Sequence, residues 1–323
     1  MTPLHSIDDI RKAANALLLK ADVTGRLPTP VDDLVAAAGL MQADDYEINE
    51  SLIQKMPRYL RGAVRSAARK VTGLLDRRER VIHIDQALDD RRRKFVKLHE
   101  VSHDIFQWQK DLLVLADTSK TLSPSIKMLF EREANQGAAE LFFQVGLLTR
   151  IARDYPLHRT TPFELGDLFG SSAHSAFRHW MGTHPGCVCG FVLDKHYVTR
   201  GEIVFKRLEC VPSSEWTEQF GNRVFPQAMP ISTFSFLGPL VTGHDDVETE
   251  WTLDDLNMIP RTVNVQSFSN KYNNFVMVWV PERESLVARL RKKPRIVGSN
   301  GQPLGVSEEA RIWLPDISGE ENE

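Results

Sequence analysis

The sequence is poor in cysteine: Cys187, Cys189 and Cys210 are the only three among 323 residues. Three thiols cannot all pair within one chain, which argues against the disulfide framework of a secreted protein. The first twenty residues lack a basic segment followed by an apolar core, and no apolar run approaches about 18 residues. We therefore expect a cytoplasmic protein without a membrane span.

The sequence also lacks a strong overall charge, since its formal net charge is −3. With 42% hydrophobic and 26% charged residues it has the balance of a globular protein, without a global attraction to nucleic acid or anionic membranes. Residues 55–97 are a local exception, with fourteen Lys or Arg against five Asp or Glu. This segment is either a docking surface for an acidic partner or nucleic acid, or a set of solvated faces, and we favour the latter.

Periodicity and capping residues predict the order of the elements. Apolar residues at helical spacing predict two helices within 7–40, and the runs VTGLLD and ERVIHID predict a β-hairpin over 71–85. Asp89 is a candidate N-cap for the next helix. Ser123 followed by Pro124 predicts the start of another helix. Beyond residue 184 the sequence becomes rich in β-forming residues.

The segment His99-Glu100-Val101-Ser102-His103 matches the pattern H-E-x-x-H. On a helix, two imidazoles four residues apart face the same side and can bind one Zn²⁺. The carboxylate of Glu100 can then act as a general base on water at the metal. The alternative is two core histidines satisfied by hydrogen bonds. We favour the metal because the pair encloses a glutamate on a capped helix.

A zinc site needs a third protein ligand, and the next helix offers Glu131 and Glu133. These glutamates lie about 200° apart around a helix, so we expect only one of them to face the core. Glu131 shares its face with the small residues Ala134 and Ala138, and we predict it as the third ligand. Asn135, one turn further, can hydrogen-bond the free ring nitrogen of a histidine. The alternative is that Glu131 is a surface carboxylate.

The strand formed by Val81, Ile82, His83 and Ile84 precedes the H-E-x-x-H helix by a few residues. An extended peptide can add to a free sheet edge through main-chain hydrogen bonds. We therefore predict that these four residues bind substrate at a sheet edge beside the metal. The alternative is an interior strand with neighbours on both sides.

The sequence around these residues resembles the ImmA/IrrE family of metallo-endopeptidases. The resemblance covers roughly residues 8–180 and rests on PTPVDDLVAAAGL, RVIHID, RRRKFVKLHEVSH and EREANQGAAELFF. It implies that His99, His103 and Glu131 are zinc ligands and that Glu100 is the catalytic base. Three positions depart from the family pattern: Ser102 replaces a usual Gly, Gly137 replaces a usual Phe, and LFFQ replaces LLMP.

The resemblance also implies a fold and a role. We expect an α+β protein with a zincin-like, mostly helical peptidase domain and small sheet (1–155), a helix-turn-helix-like linker (156–183), a β-rich α+β domain (184–295) and a tail (296–323). Family members typically cleave a helix-turn-helix repressor in stress response or mobile-element control. The implied partner is thus a DNA-binding repressor. The alternative is a non-catalytic regulator of the same fold that binds DNA or protein.

Three further features carry weaker signals. FELGDLFGSSAHSAFRHW resembles a helix-turn-helix, but Arg178 is its only basic residue besides the histidines, which favours a structural bihelical element over DNA recognition. Cys187-x-Cys189 could bind a metal or sense redox change, but without a partner motif buried thiols are favoured. Residues 184–295 could form a sensory module, since some family members carry a GAF-like domain.

Overall fold

The computed structural model of the chain describes residues 7–43, 73–85, 87–115, 123–222, 225–243, 248–270 and 272–281. Contacts and absences below refer to these residues. The predicted tail 296–323 and much of the basic segment 55–97 lie outside them.

The N-terminal elements are two helices and a small sheet. They are α1 (Ile7–Lys20), α2 (Val31–Ala37), β1 (Met41–Gln42), β2 (Gly73–Asp76) and β3 (Val81–Ile84). The strand order is β1-β3-β2, with β3 parallel to β1 and antiparallel to β2. The two predicted helices and the predicted hairpin are thereby confirmed.

The prediction that β3 is the edge of this sheet is wrong. Val81 and Ile82 pair with β1 on one side and with β2 on the other. β1 is only two residues long, too short to produce a period-2 signal in the sequence, yet it adds to β3 after α2 ends. Within the described chain, β1 and β2 are the two edge strands of this sheet, each with a neighbour on one side.

Three helices follow and carry the H-E-x-x-H segment and its surroundings: α3 (Asp90–Ile105), α4 (Gln107–Leu115) and α5 (Pro124–Phe142). Asp89 caps α3 by accepting a hydrogen bond from the Arg92 amide at 3.1 Å. Ser123 caps α5, and Pro124 stands at its first turn, as predicted. α3 and α5 pack against each other along much of their length.

The predicted bihelical element consists of α7 (Thr161–Phe169) and α8 (Ala173–Thr183), preceded by the short α6 (Leu147–Ala152). Gly170 makes the turn between them with φ at 76°. Phe177, Trp180 and Met181 of α8 are buried, and α8 packs against the large sheet. A helix covered in this way is not free to enter a DNA groove, which favours the structural interpretation.

The C-terminal half is built on a six-stranded antiparallel sheet in the order β6-β5-β4-β9-β8-β7. Its strands are β4 (Val188–Thr199), β5 (Glu202–Pro212), β6 (Ala228–Pro230), β7 (Glu248–Asp254), β8 (Pro260–Ser269) and β9 (Asn274–Trp279). The helices α9 (Ser214–Phe220) and α10 (Gly238–Thr242) and a 3₁₀ turn (Ser235–Leu237) accompany it. The protein therefore belongs to the α+β class. None of the described helices has the length and apolar character needed to cross a membrane.

The large sheet is apolar on both faces, and this decides how the two halves are joined. Val192 and Met277 belong to the core shared with the helices, whereas Phe191 and Val278 belong to a second core on the opposite face. Residues 1–280 accordingly form one compact unit. The domain boundaries predicted near 155 and 184 fall inside this unit.

The contact between α3 and α5 requires a glycine. A Cβ at Gly137 would lie 2.5 Å from Cζ of Phe106 and 2.7 Å from Oγ of Ser102, both of which are buried. The two departures from the family pattern at these positions are therefore linked. Ser102 fills space on α3, and Gly137 leaves that space open on α5.

We expect Gly137→Ala to destabilise the fold. Overpacking costs about 1–3 kcal/mol, offset in part by about 1 kcal/mol of helix propensity gained. Urea denaturation would measure the change. Gly238→Ala is the matched control because no atom lies within 4 Å of its added Cβ. Equal stability of the two variants would show that the α3–α5 contact is looser than described.

Candidate metal centre

The structure brings the three predicted ligands together. Nε2 of His99 lies 3.2 Å from Nε2 of His103 and 3.2 Å from a carboxylate oxygen of Glu131. Nε2 of His103 lies 3.6 Å from the other oxygen of Glu131. The imidazoles are half-buried and the carboxylate is 63% exposed, so the group lies at the surface end of the α3–α5 contact. Among the described residues, this is the group of three side chains placed to hold one metal ion.

The donor spacing fits a tetrahedral ion. Zinc binds imidazole nitrogen and carboxylate oxygen at about 2.0–2.1 Å, so neighbouring ligand atoms lie about 3.3–3.4 Å apart. The imidazole nitrogens are 3.2 Å apart, and each lies 3.2–3.6 Å from one or the other oxygen of Glu131; with one ligand atom per residue, the three atoms lie within 4.8 Å of one another. An ion held by these three donors of the described residues would have a fourth position for water, as in catalytic zinc sites.

The other ring nitrogens fix how the imidazoles are oriented. Nδ1 of His99 lies 3.2 Å from Oδ1 of Asn135, and Nδ1 of His103 lies 2.9 Å from Oε1 of Gln109. Amide oxygens accept, so each Nδ1 donates and each neutral ring presents its Nε2 lone pair to the centre. Two lone pairs and a carboxylate directed at one point repel each other unless a cation lies among them. The hydrogen bond predicted for Asn135 is present.

A buried chain of hydrogen bonds extends behind His103. Nε2 of Gln109 donates to Glu133 at 2.8 Å, and Nε1 of Trp108 donates to the same oxygen at 2.9 Å. Because the amide nitrogen of Gln109 is held by Glu133, its oxygen must face His103. A ligand with its second nitrogen fixed in this way is held in one tautomer and one orientation.

The expectation that Glu133 faces away from the core is wrong, since Glu133 is buried. The sequence-based prediction for Glu133 took into account only the face of α5 that packs against α3. Phe106 adopts an extended conformation that ends α3, and α4 then follows and covers a second side of α5. Glu131 and Glu133 therefore both have inward partners, on different sides of the same helix.

Glu100, the predicted base, is buried on α3 between the two histidines in sequence. Burial raises the pKa of its carboxyl group. The side chain forms no hydrogen bond with any residue that the structure describes, so its oxygens are available to accept a proton. A Cβ at Gly73 of β2 would approach Oε1 of Glu100 to 3.0 Å, which shows that the main chain of β2 runs beside this carboxyl group.

Glu131 is the anionic member of the site. When the rings are protonated, hydrogen bonds from Nε2 of His103 and of His99 hold the pKa of its carboxyl group far below the usual range. Glu131 is therefore a carboxylate at any physiological pH, as a metal ligand must be.

We expect Gln109→Leu to weaken zinc binding by about 10–100-fold, the usual effect of removing a partner of a metal-bound histidine. The variant keeps the volume of the side chain while His103 loses the acceptor for its Nδ1–H. Competition with a chromogenic chelator would measure the affinity. Gln107→Leu is the control, because Gln107 is exposed and bonds only Asp111. Equal zinc affinity in both variants would contradict a positioning role for Gln109.

The three cysteines lie apart from this centre, on β4 and β5 and the residue before β4. Sγ of Cys189 and Sγ of Cys210 are 3.6 Å apart across the two strands, and Cys187 is close enough to Cys189 to affect its titration. The thiol of Cys189 lowers the pKa of Cys210 through this hydrogen bond. Cys210 is thus a neighbour of Cys189 that the sequence did not reveal. Burial raises the pKa of the Cys187 and Cys189 thiols, which favours the predicted buried thiols over a metal or redox site.

Comparisons with known proteins give limited information. No protein-family model matches the sequence, and no curated protein matches it. Among solved structures, a transcriptional regulator of Mycobacterium tuberculosis is similar, with a TM-score of 0.46 and 12% sequence identity. The match covers 84% of this chain and 86% of that chain.

Proposed function

We propose that this protein is a zinc-dependent endopeptidase, with His99, His103 and Glu131 as metal ligands and Glu100 as general base. The observation that carries the proposal is the convergence of three ligand atoms within 4.8 Å of one another, with a buried carboxyl group between the two histidines of α3. A structural zinc site would need neither a fourth open position nor such a base.

Each residue has a chemical role in this proposal. Zinc, when bound, supplies Lewis acidity that polarises a peptide carbonyl and makes a water molecule more acidic. Glu100 accepts a proton from the water that attacks the carbonyl carbon, and passes it to the amide nitrogen when the C–N bond breaks. Asn135 and Gln109 hold the two imidazoles in place. The arrangement corresponds to a zincin-like site.

The path of the substrate is better assigned to β2 than to β3. Both sides of Val81 and Ile82 are occupied, whereas β2 has one neighbour within the described residues and passes beside Glu100. An extended peptide that adds to β2 would receive main-chain hydrogen bonds next to the base. His83 and Ile84 lie one strand further from this edge.

We further propose a cytoplasmic enzyme whose substrate is a DNA-binding repressor of the helix-turn-helix type, in stress response or mobile-element control. This substrate follows from the resemblance of the sequence to the ImmA/IrrE family. The six-stranded sheet, with its own second core, is a candidate GAF-like sensory module for that enzyme. Residues 184–281 would then carry the signal and the helices the chemistry.

Co-expression with candidate repressors tests this function directly. We expect one defined cleavage product from the true substrate with the wild-type protein and none with Glu100→Gln. A site-specific enzyme should leave casein largely intact, so rapid digestion of casein by the purified protein would contradict the specificity.

A non-catalytic regulator of the same fold is the second candidate. It would bind DNA or protein without cleavage, and wild type and Glu100→Gln would then behave alike in a binding assay and in a reporter assay. The carboxyl group of Glu100 is buried and has no hydrogen-bond partner among the described residues, which favours the enzyme, because a regulator has no use for such a group.

A further inference from the structure

A cavity of about 610 Å³ lies on the far side of α5 from the metal ligands. It is bounded by α1, the C-terminal end of α5, α6, α8 and the start of α9, and its lining includes none of the proposed zinc ligands. Its volume falls within the range of about 300–1,000 Å³ typical of small-molecule sites. The cavity therefore needs an explanation separate from proteolysis.

Two arginines without counterions line this cavity. Arg150 and Arg153 stand three residues apart at the end of α6, on neighbouring positions of the helix surface. Neither guanidinium forms an ion pair or a side-chain hydrogen bond with any residue in the described ranges. The third lining arginine, Arg11, is already paired with Glu140 at 3.1 Å. Arg150, Arg153 and Glu215 are all exposed, and with Arg11 paired to Glu140 the lining retains two arginines against one carboxylate.

His179 supplies an uncharged polar group deeper in the cavity. Its ring is 8% exposed and stacks on Phe143 with centroids 4.6 Å apart. Burial lowers the pKa of this imidazole to about 4, with Glu140 opposing and Arg11 reinforcing the shift, so the ring is neutral at physiological pH. No described residue hydrogen-bonds its two ring nitrogens. A neutral imidazole offers one donor and one acceptor, both of which a ligand in the cavity could use.

The backbone beside the cavity is held in an unfavourable conformation. Gln144, Val145 and Gly146 have φ values of 50°, 27° and 81° in succession. A positive φ is strained for a β-branched residue such as Val145. The side chain of Gln144 anchors the turn by accepting from the amide of Gly25 at 2.7 Å and donating to the carbonyl of Arg26 at 2.8 Å. Strain of this kind concentrates at ligand sites, and Val145 and Gly146 line the cavity.

We propose that this cavity binds a small organic phosphate, with the phosphate at Arg150 and Arg153 and an uncharged polar part of the ligand at His179. Two guanidiniums match the charge and the oxygen geometry of a phosphate dianion. The volume greatly exceeds that of phosphate alone, so the organic part fills the rest and reaches the imidazole. The inference does not depend on the metal site or on proteolysis.

Isothermal titration calorimetry with the full-length protein tests the proposal. The probes are ribose 5-phosphate and AMP, with ribose, adenosine and inorganic phosphate as comparisons. We expect at least one of the two phosphate esters to bind more tightly than its phosphate-free counterpart and than inorganic phosphate. The double variant Arg150→Gln/Arg153→Gln should weaken that binding at least about tenfold, because two charge-assisted hydrogen bonds are lost. Lys195→Gln/Lys206→Gln removes the same charge outside the cavity and should leave binding unchanged.

The variant His179→Phe tests the contact of the imidazole with the uncharged part of the ligand, independently of the phosphate. The substituted ring can still stack on Phe143, but it lacks the nitrogens. Binding of the ester should fall toward that of inorganic phosphate, whereas inorganic phosphate should bind as before. If this variant does not fold, the arginine variant decides alone. Absence of ester binding to the wild type, or equal binding by wild type and the arginine variant, would overturn the proposal.

Discussion

Glu100→Gln is expected to abolish specific cleavage while leaving the metal site and the fold intact. Removal of a general base typically lowers the rate by about 10²–10⁴. The amide of glutamine is nearly isosteric with the carboxyl group but cannot accept the proton. Since Glu100 is buried and forms no hydrogen bond with a described residue, its replacement leaves no partner unsatisfied.

Three measurements on the purified variant separate catalysis from structure: the rate of substrate cleavage, zinc content and thermal unfolding. Glu79→Gln is the control, since Glu79 is exposed in the turn between β2 and β3. We expect unchanged zinc and melting temperature in both variants, with loss of cleavage in Glu100→Gln alone. Cleavage at the wild-type rate by Glu100→Gln would refute the role of this residue.

Local signals in the sequence were sufficient for most of the site. His99 and His103 follow from four-residue spacing on a capped helix, and Asp89 and Ser123 mark the starts of the two helices that meet there. Glu131 follows from the small residues on its face of α5. These inferences hold because a helix fixes which side chains share a face, whatever the rest of the chain does.

Other parts of the site depend on contacts between distant segments. Gln109 lies beyond the end of α3, and only the turn at Phe106 brings it behind His103. Away from the site, Cys210 meets Cys189 through the register of a hairpin that contains irregularities, which no spacing rule predicts. The edge of the small sheet depended on a two-residue strand, β1, whose pairing leaves no periodic trace.

The second large effect, on zinc content, is expected when a histidine ligand is replaced. His99→Ala and His103→Ala should each reduce bound zinc from one ion per chain toward none, because two remaining ligands hold zinc poorly. Metal analysis after gel filtration measures the content. His196→Ala is the control, since His196 is exposed on the large sheet. Full zinc occupancy in both ligand variants would exclude this site.

Thermal stability measures zinc binding independently of metal analysis. A metal that binds only the folded state stabilises it by about 4 kcal/mol when its concentration is 1,000 times Kd. A chelator should therefore lower the melting temperature of the wild type. It should have no effect on His99→Ala or His103→Ala. A chelator shift that persists in these variants would place the metal elsewhere in the protein.

Variants of Glu131 and Glu133, the two glutamates of α5, should differ in how strongly they reduce zinc binding. Glu131 contacts both imidazoles, whereas Glu133 contacts Gln109 and Trp108, and Gln109 in turn bonds His103. Glu131→Ala should remove zinc as completely as a histidine variant. Glu133→Gln should retain zinc with an affinity lowered by about 10–100-fold, as expected for a residue that positions a ligand's partner. The reverse result would make Glu133 the ligand and would require α5 to turn about its axis relative to α3.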